Sequence, residues 1–273
     1  MRQIDLPLQI DHLHQLGADF AAMHSSVTVL DARPGSELLQ QLAPKILSIQ
    51  ELVGRALVRL TALDGSQYAA VPGSRTSMET LSEVVASAAV AASQLAKAVA
   101  DNPLESAGLA DSPPADVNAI RQVRDAEATR LLSGSLITAA HHLDLCATCC
   151  QVTASGITRD LKDHPELAKL PQLTDAQYTA LDRIAQGGTR HFMRLNGSAS
   201  TVAGDGKTVH SPPVGVLLQY RLIRFDARTP PMAGQDVTVT AAGSLVLDIQ
   251  KPGPDRVASG KVPGPRQTGG RRR

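Results

Sequence analysis

The residue types best suited to chemistry stand together near the middle of the chain. The run Ala140–Cys150 reads AHHLDLCATCC and holds all three cysteines, Cys146, Cys149 and Cys150, beside His141 and His142. On a helix turning about 100° per residue, His142, Cys146 and Cys149 fall within roughly 60° of one face, with Cys150 about 80° from His142. Thiolates and an imidazole so placed suit zinc or copper, or a thiol that responds to oxidants. A structural zinc site, however, draws its ligands from two segments, and no second Cys pair or His pair of that kind follows in the sequence. Cysteine is also among the most buried residue types, packing as a small apolar group. His142, Cys146 and Cys149 are therefore read first as core residues holding no metal. A thiol- or metal-dependent sensor built on Cys146 and Cys149 is kept as a third reading.

Other motifs are sparse. Gly204–Thr208 (GDGKT) imitates the end of a phosphate-binding P-loop, but the full spacing needs a glycine where Thr201 stands. No G-x-S-x-G elbow, H-E-x-x-H helix or dinucleotide glycine fingerprint occurs. The expectation is a binding protein without catalytic machinery and without a cofactor.

The elements that carry these residues read as mainly helical. Apolar residues make up 42% of the 273 and charged ones 19%, which suits a folded core rather than a disordered chain. Aromatics are 2% with no Trp, so Ala, Leu and Val must fill that core, as close-packed helices allow. Met1–Leu16 carries Arg2, Asp5 and Asp11 with no continuous apolar run, which predicts no secretory leader. Val84–Ala100 is the most membrane-like window, yet Ser, Gln94 and Lys97 interrupt it. It falls short of the roughly 20 strongly apolar residues of a span and is read as a bundle helix. With an odd, clustered set of cysteines, these features predict a cytoplasmic protein that does not enter the membrane.

A first helix is predicted over Leu6–Met23 from Leu6, Ile10, Leu13, Leu16 and Phe20, with Ser25–Leu30 as a short extended piece. A second runs from Ser36 as N-cap to about Leu63 with Leu39, Leu42, Ile46, Ile49, Val53, Ala56, Leu57 and Leu60 on its stripe. Pro44 should kink it or mark a later start. A third spans Thr76 to about Ala100. After the Asp101–Pro114 linker, a fourth starts at Ser112 with Pro113 and Pro114 in its first turn and reaches about Lys162. Its apolar set includes Val117, Ile120, Leu131, Leu136, Ile137 and Leu143, and Gly134 or Gly156 could divide it. Long helices with short connections predict an antiparallel bundle over 1–165, apt for self-association or for a helical protein partner.

After the Pro165 and Pro171 hinge the texture changes: four of the six aromatics fall within 172–250, which predicts a second core there. Thr174 and Gln177 form a capping box for a helix with Tyr178, Leu181, Ile184 and Ala185 on its apolar face. Turns at Asn196–Gly197 and Asp205–Gly206 separate short strands within Thr189–His210. Ser211-Pro212-Pro213 starts a helix with Val214, Leu217 and Leu218 on one face. Leu222–Phe225 and Val237–Thr240 read as strands around an Asp226–Gln235 turn, and a last apolar run covers Ser244–Ile249.

The run LLQYRLIRFDARTPPMAGQDVTVTAAGSLVL resembles the recognition-helix-and-wing end of winged-helix domains such as the MarR-like regulators, with Leu217, Leu222, Ile223, Val237, Val239, Thr240 and Gly243 at the patterned positions. The resemblance implies a small winged-helix-like α+β domain over 172–250 that binds duplex DNA. Two departures stand beside it: strands in Thr189–His210 where such domains have a helix, and Arg221 where they often have glycine. Lys207, His210, Gln219, Arg221 and Arg228 are the candidate contacts, and the Pro/Gly-rich 251–273 adds a flexible basic tail ending in Arg271, Arg272 and Arg273. Charge supports the division. Residues 1–171 hold thirteen Lys+Arg against nineteen Asp+Glu, residues 172–250 seven against six, and residues 251–273 seven against one. The leading expectation is a DNA-associated or regulatory binding protein. The alternative is a structural or interaction protein whose winged-helix-like unit docks another protein.

Overall fold

The computed structural model describes residues 2–103, 114–193 and 199–250, with the side chains of 114–118 and 120 left out. The Ser112–Pro113 helix start, the apolar positions Val117 and Ile120, most of the Asp101–Pro114 linker, the Asn196–Gly197 turn and the whole 251–273 tail with Arg271, Arg272 and Arg273 lie outside the described residues. The fold is mainly helical, with seven α-helices and a five-stranded antiparallel sheet among the described residues. It divides into two compact units, 2–170 with Thr240–Ala242, and 171–239 with 243–250.

The first unit is built from α1 (Leu6–Thr28), α2 (Ser36–Asp64), α3 (Ser74–Asp101) and α4 (Pro114–Asp163). Each helix packs on two others: α1 on α4 and α2, and α3 on α4 and α2. Neighbours run in opposite senses. Asp19 and Gln9 of α1 meet Arg55 and Arg59 of α2 respectively, while Ser77 and Val84 of α3 meet Gly156 and Cys146 of α4. Gly156 permits that approach, since a Cβ there would lie 2.6 Å from Ser77 Oγ. The core is aliphatic as the composition requires, with Leu6, Ile10, Leu13, Leu16 and Phe20 of α1 all buried.

Two side-chain amides act like backbone groups and close the bundle ends. Asn102 accepts from Gly35 N–H and donates to Gly35 O, both at 2.8 Å, tying the end of α3 to the start of α2. Gln67 does the same for Ile4 at 2.9 and 2.8 Å. Buried Tyr68 donates to Asp160 Oδ2 at 2.5 Å, and burial together with that carboxylate pushes its phenol well above the usual range.

Several expectations need correction. Helix α1 continues to Thr28, so Ser25–Leu30 is not an extended piece. The hydroxyls of Ser25, Ser26 and Thr28 donate to carbonyls three or four residues back, which lets these weak helix formers stay helical. Gly35, not Ser36, is the N-cap of α2. Pro44 lies inside α2 without ending it, and Ser48 Oγ donates to the Pro44 carbonyl. The buried stripe of α2 is Leu38, Leu42, Ile49, Leu52, Ala56 and Leu63, while Leu57 is 45% exposed. Similarly Ile137 of α4 is 71% exposed, and neither Gly134 nor Gly156 divides that helix. Helix α3 is long and apolar enough to cross a membrane by length and composition, but here its Leu81–Ala98 stripe packs against α2 and α4.

The second unit runs α5 (Asp175–Ala185), β1 (Arg190–Met193), β2 (Ala199–Val202), β3 (Thr208–Val209), α6 (Ser211–Gln219), β4 (Ile223–Phe225), β5 (Gln235–Val239) and α7 (Ala241–Ile249). The capping box is complete, Thr174 and Gln177 each bonding the other's backbone N–H. The sheet order is β3-β2-β1-β5-β4, so β3 and β4 are the edges. Val209, Val214, Leu217, Leu222, Ile223, Val237, Leu245 and Val246 are buried with Leu181 and Ile184. Leu218 instead faces outward, while α6 begins at Ser211 as expected, with His210 as its N-cap.

One polar contact in the bundle sets a pH dependence. Arg59 Nη1 lies 2.8 Å from His12 Nδ1, and burial followed by the Arg59 and Arg55 charges lowers the His12 pKa below 6.5 against the opposing pull of Asp11 and Asp5. The unfolded chain then takes up this proton more readily than the folded one, so stability rises with pH through that interval. Urea midpoints should fall as pH drops below about 6.5 and level off once folded His12 is protonated, and His12→Gln should flatten that part of the profile.

Candidate nucleic-acid interface

The turn from α6 into β4 takes an unusual conformation. Arg221 has φ +56°, in the left-handed region, where a residue with a Cβ pays about 1–2 kcal/mol. The backbone there takes a shape that glycine favours: Leu222 N–H donates to Leu217 O at 2.9 Å and Arg221 N–H to Leu218 O at 3.0 Å. Gly243 shows why the following helix needs its glycine, since a Cβ there would come within 2.2 Å of Leu222 O.

From this turn, three exposed arginines follow one edge of the sheet. Arg221 stands at its start, Arg224 in the edge strand β4 and Arg228 in the β4–β5 connection. Facing residues fix the orientation: Arg224 pairs with Thr238 and Phe225 with Val237, so period two places Arg224 on the solvent side and Phe225 on the other. Arg190 pairs with Asp236 on the same solvent side and bonds its carboxylate at 3.2 Å. On the opposite side, the His191 and Phe225 rings stack at 4.4 Å, and burial lowers the His191 pKa.

The β4–β5 connection is held by its own side chains. Asp226 Oδ1 accepts from Arg228 N–H at 3.0 Å and Oδ2 from the Thr229 hydroxyl at 3.2 Å. Gln235 Nε2 donates to the Thr229 and Asp226 carbonyls at 2.9 and 3.3 Å. Arg228 therefore rises from a braced turn.

The remaining candidates spread toward the other edge. Lys207 follows the Asp205–Gly206 turn between β2 and β3, with its backbone N–H on Asp205 Oδ1 at 3.0 Å and Nζ 3.9 Å from Oδ2. His210 caps α6 with its side chain exposed. Gln219 ends α6, also exposed. The cations thus lie at both ends of α6 rather than along it, whose outward residues are Ser211, Pro212, Gly215, Leu218 and Gln219. Arg183, Arg190 and Arg224 were not among the sequence-level candidates. Strand alternation through Leu222–Phe225 is the signal that could have found Arg224, whereas Arg183 needed the packing of α5 against α6.

The cysteine cluster sits in the bundle core. Cys146 and Cys150 are buried, Cys149 half-buried. Burial, with smaller contributions from neighbouring groups, pushes the Cys146 and Cys150 thiols up to about 12. Burial and then Glu83 also raise Cys149. Cys146 Sγ lies 3.5 Å from the Val84 carbonyl. His142 is half-buried with Nδ1 unbonded, its ring edge-on to His141 at 5.7 Å. Among the described residues no three His, Cys, Asp or Glu side chains converge as metal ligands. Thiolate chemistry has no electrostatic support here.

No protein-family model, curated protein or solved structure matches this chain.

The left-handed Arg221 gives a direct check of the turn. Arg221→Gly removes the Cβ penalty at the cost of about 0.5–1 kcal/mol of chain entropy. Denaturant unfolding should show stability unchanged or raised by up to about 1 kcal/mol, while Arg221→Val should lose at least about 1 kcal/mol.

Proposed function

We propose that this is a non-enzymatic, cytoplasmic, DNA-associated regulatory protein whose second unit acts as a modified winged helix and binds duplex DNA through its backbone. The observation that carries the reading is the exposed series Arg221, Arg224 and Arg228 along one sheet edge, presented by a constrained turn, an edge strand and a braced connection. Supporting it, β5 pairs with both β1 and β4 and a helix precedes the β4–β5 hairpin, an order in keeping with the resembled domains. Strands β2 and β3 occupy the place of their additional helix. The outward face of α6 offers Gln219 as its long polar side chain, which favours phosphate contact over base reading. Arg271, Arg272 and Arg273 add sequence-independent charge. In this reading the bundle supplies self-association or a helical-partner surface. The outer side of α2 carries Ala43, Leu47, Gly54, Leu57 and Val58, all exposed at roughly heptad spacing.

A protein-docking role for the second unit is the alternative, favoured by exposed Leu218, Tyr220 and Met232.

Titration of the full chain against labelled duplexes of about 20 base pairs, from about 50 to 200 mM salt, separates them. DNA binding predicts dissociation constants that weaken steeply with salt and differ little between unrelated sequences. Replacing Arg224 and Arg228 with Ala should lower the log–log salt slope by about 2. Absence of binding at the lowest salt would favour docking.

A further inference from the structure

A groove of about 450 Å³ opens in the second unit at the start of α6, the end opposite the Arg221 turn. Its walls come from Asp175, Thr179 and Arg183 on α5, and from Thr208, His210 and Pro213 around the start of α6. Arg183 is half-buried in this wall. A guanidinium held that way is partly stripped of water, so a ligand with negative charge gains most by meeting it. His210 is the N-cap residue of α6, where the helix begins with Ser211, and lines the groove. Thr179 has its hydroxyl donated to the Asp175 carbonyl oxygen at 2.8 Å, leaving its oxygen to accept. The Thr208 side chain is exposed at the mouth. Among the described lining residues, the opposing charge is the Asp175 carboxylate.

The placement of this groove in the topology gives it meaning. Helix α6 leaves the sheet at edge strand β3 and returns it at edge strand β4. Its nine residues rise about 13 Å, close to the ~12 Å width of a duplex major groove. Arg183 and His210 therefore stand at the start of this helix and Arg221 at its end, from which β4 and the connection after it carry Arg224 and then Arg228 on along the sheet edge.

We propose that the groove between α5 and the start of α6 holds a backbone phosphate of duplex nucleic acid, with Arg183 and His210 as its donors, so that α6 lies across a groove of the duplex between phosphate contacts at both ends. This rests on the nucleic-acid reading above and adds a second contact to it. Asp175 weakens the site, so its neutral isostere strengthens it. That sign distinguishes ligand contact from a purely structural role of Arg183 at the end of α5.

The full chain is titrated with the same duplexes over the same salt series. Arg183→Gln with His210→Gln should weaken binding about tenfold and reduce the salt slope by about 1 to 2. Arg183→Lys should keep most of the slope, and Asp175→Asn should tighten binding several-fold. Circular dichroism and thermal melting confirm that each variant is folded; if the double variant is not, Arg183→Lys and Asp175→Asn decide alone. Unchanged affinity and slope in the groove variants, with loss in the Arg224 and Arg228 variant, would overturn the phosphate contact and leave the edge reading standing. Binding that survives both sets unchanged would overturn both. Inorganic phosphate is the remaining arm: if it shifts the Arg183 and His210 resonances at low millimolar concentration while the duplex does not, the groove serves a free phosphate and the proposal fails.

Discussion

The second unit depends on one backbone constraint, the left-handed turn at Arg221 between α6 and β4. It lets the chain reverse from a helix that buries Val214 and Leu217 into an edge strand that buries Ile223, with Leu222 buried at the corner. The α7 backbone then closes on the same corner through Gly243, where no side chain fits against Leu222 O. Because strand alternation starts from this turn, it also decides which way Arg224 points. A conformational cost of order 1 kcal/mol at a non-glycine residue is thus tied to the direction of the charged edge.

The bundle follows different physics. With almost no aromatic side chains, it relies on close helix approach, as at Gly156 against Ser77, and on side-chain amides that replace missing backbone partners at Gly35 and Ile4. Its cysteines belong to that packing. A thiol pushed up to about 12 by burial remains protonated and serves as a small apolar group. The polar features of the bundle, His12 with Arg59 and Tyr68 with Asp160, join helices to helices and loops to helices.

Much of the architecture was legible in the residues. The apolar spacing of α1, the capping box of α5 and the strand–turn–strand pattern after Leu222 all have short-range causes. The errors have causes of other kinds. Ser25–Leu30 looks extended by propensity, but its hydroxyls bond back along the helix. Leu57 and Ile137 fit an apolar period yet face outward, because periodicity on a helix with two apolar stripes does not say which stripe is covered. Arg183 escaped notice because its place in the groove depends on the strands that bring α6 beside α5. The candidate interface was therefore half visible: Arg221, Arg228, Lys207 and His210 stand out as charges near turns, while the placing of Lys207 and His210 at one sheet edge and of Arg221 and Arg228 by the other comes from strand order.

The central claim is that duplex DNA contacts both ends of α6 through its phosphates and leaves the helix's middle unread. Amide chemical-shift mapping of the full chain, with two duplexes of unrelated sequence, tests it most directly. The account predicts the same perturbed residues for both duplexes, centred on Arg183 and His210 at the start of α6, Arg221 at its end, and Arg224 and Arg228 along the adjoining sheet edge, fading as salt rises. Perturbation confined to Leu218, Tyr220 and Met232, or a pattern that changes with DNA sequence, would contradict it.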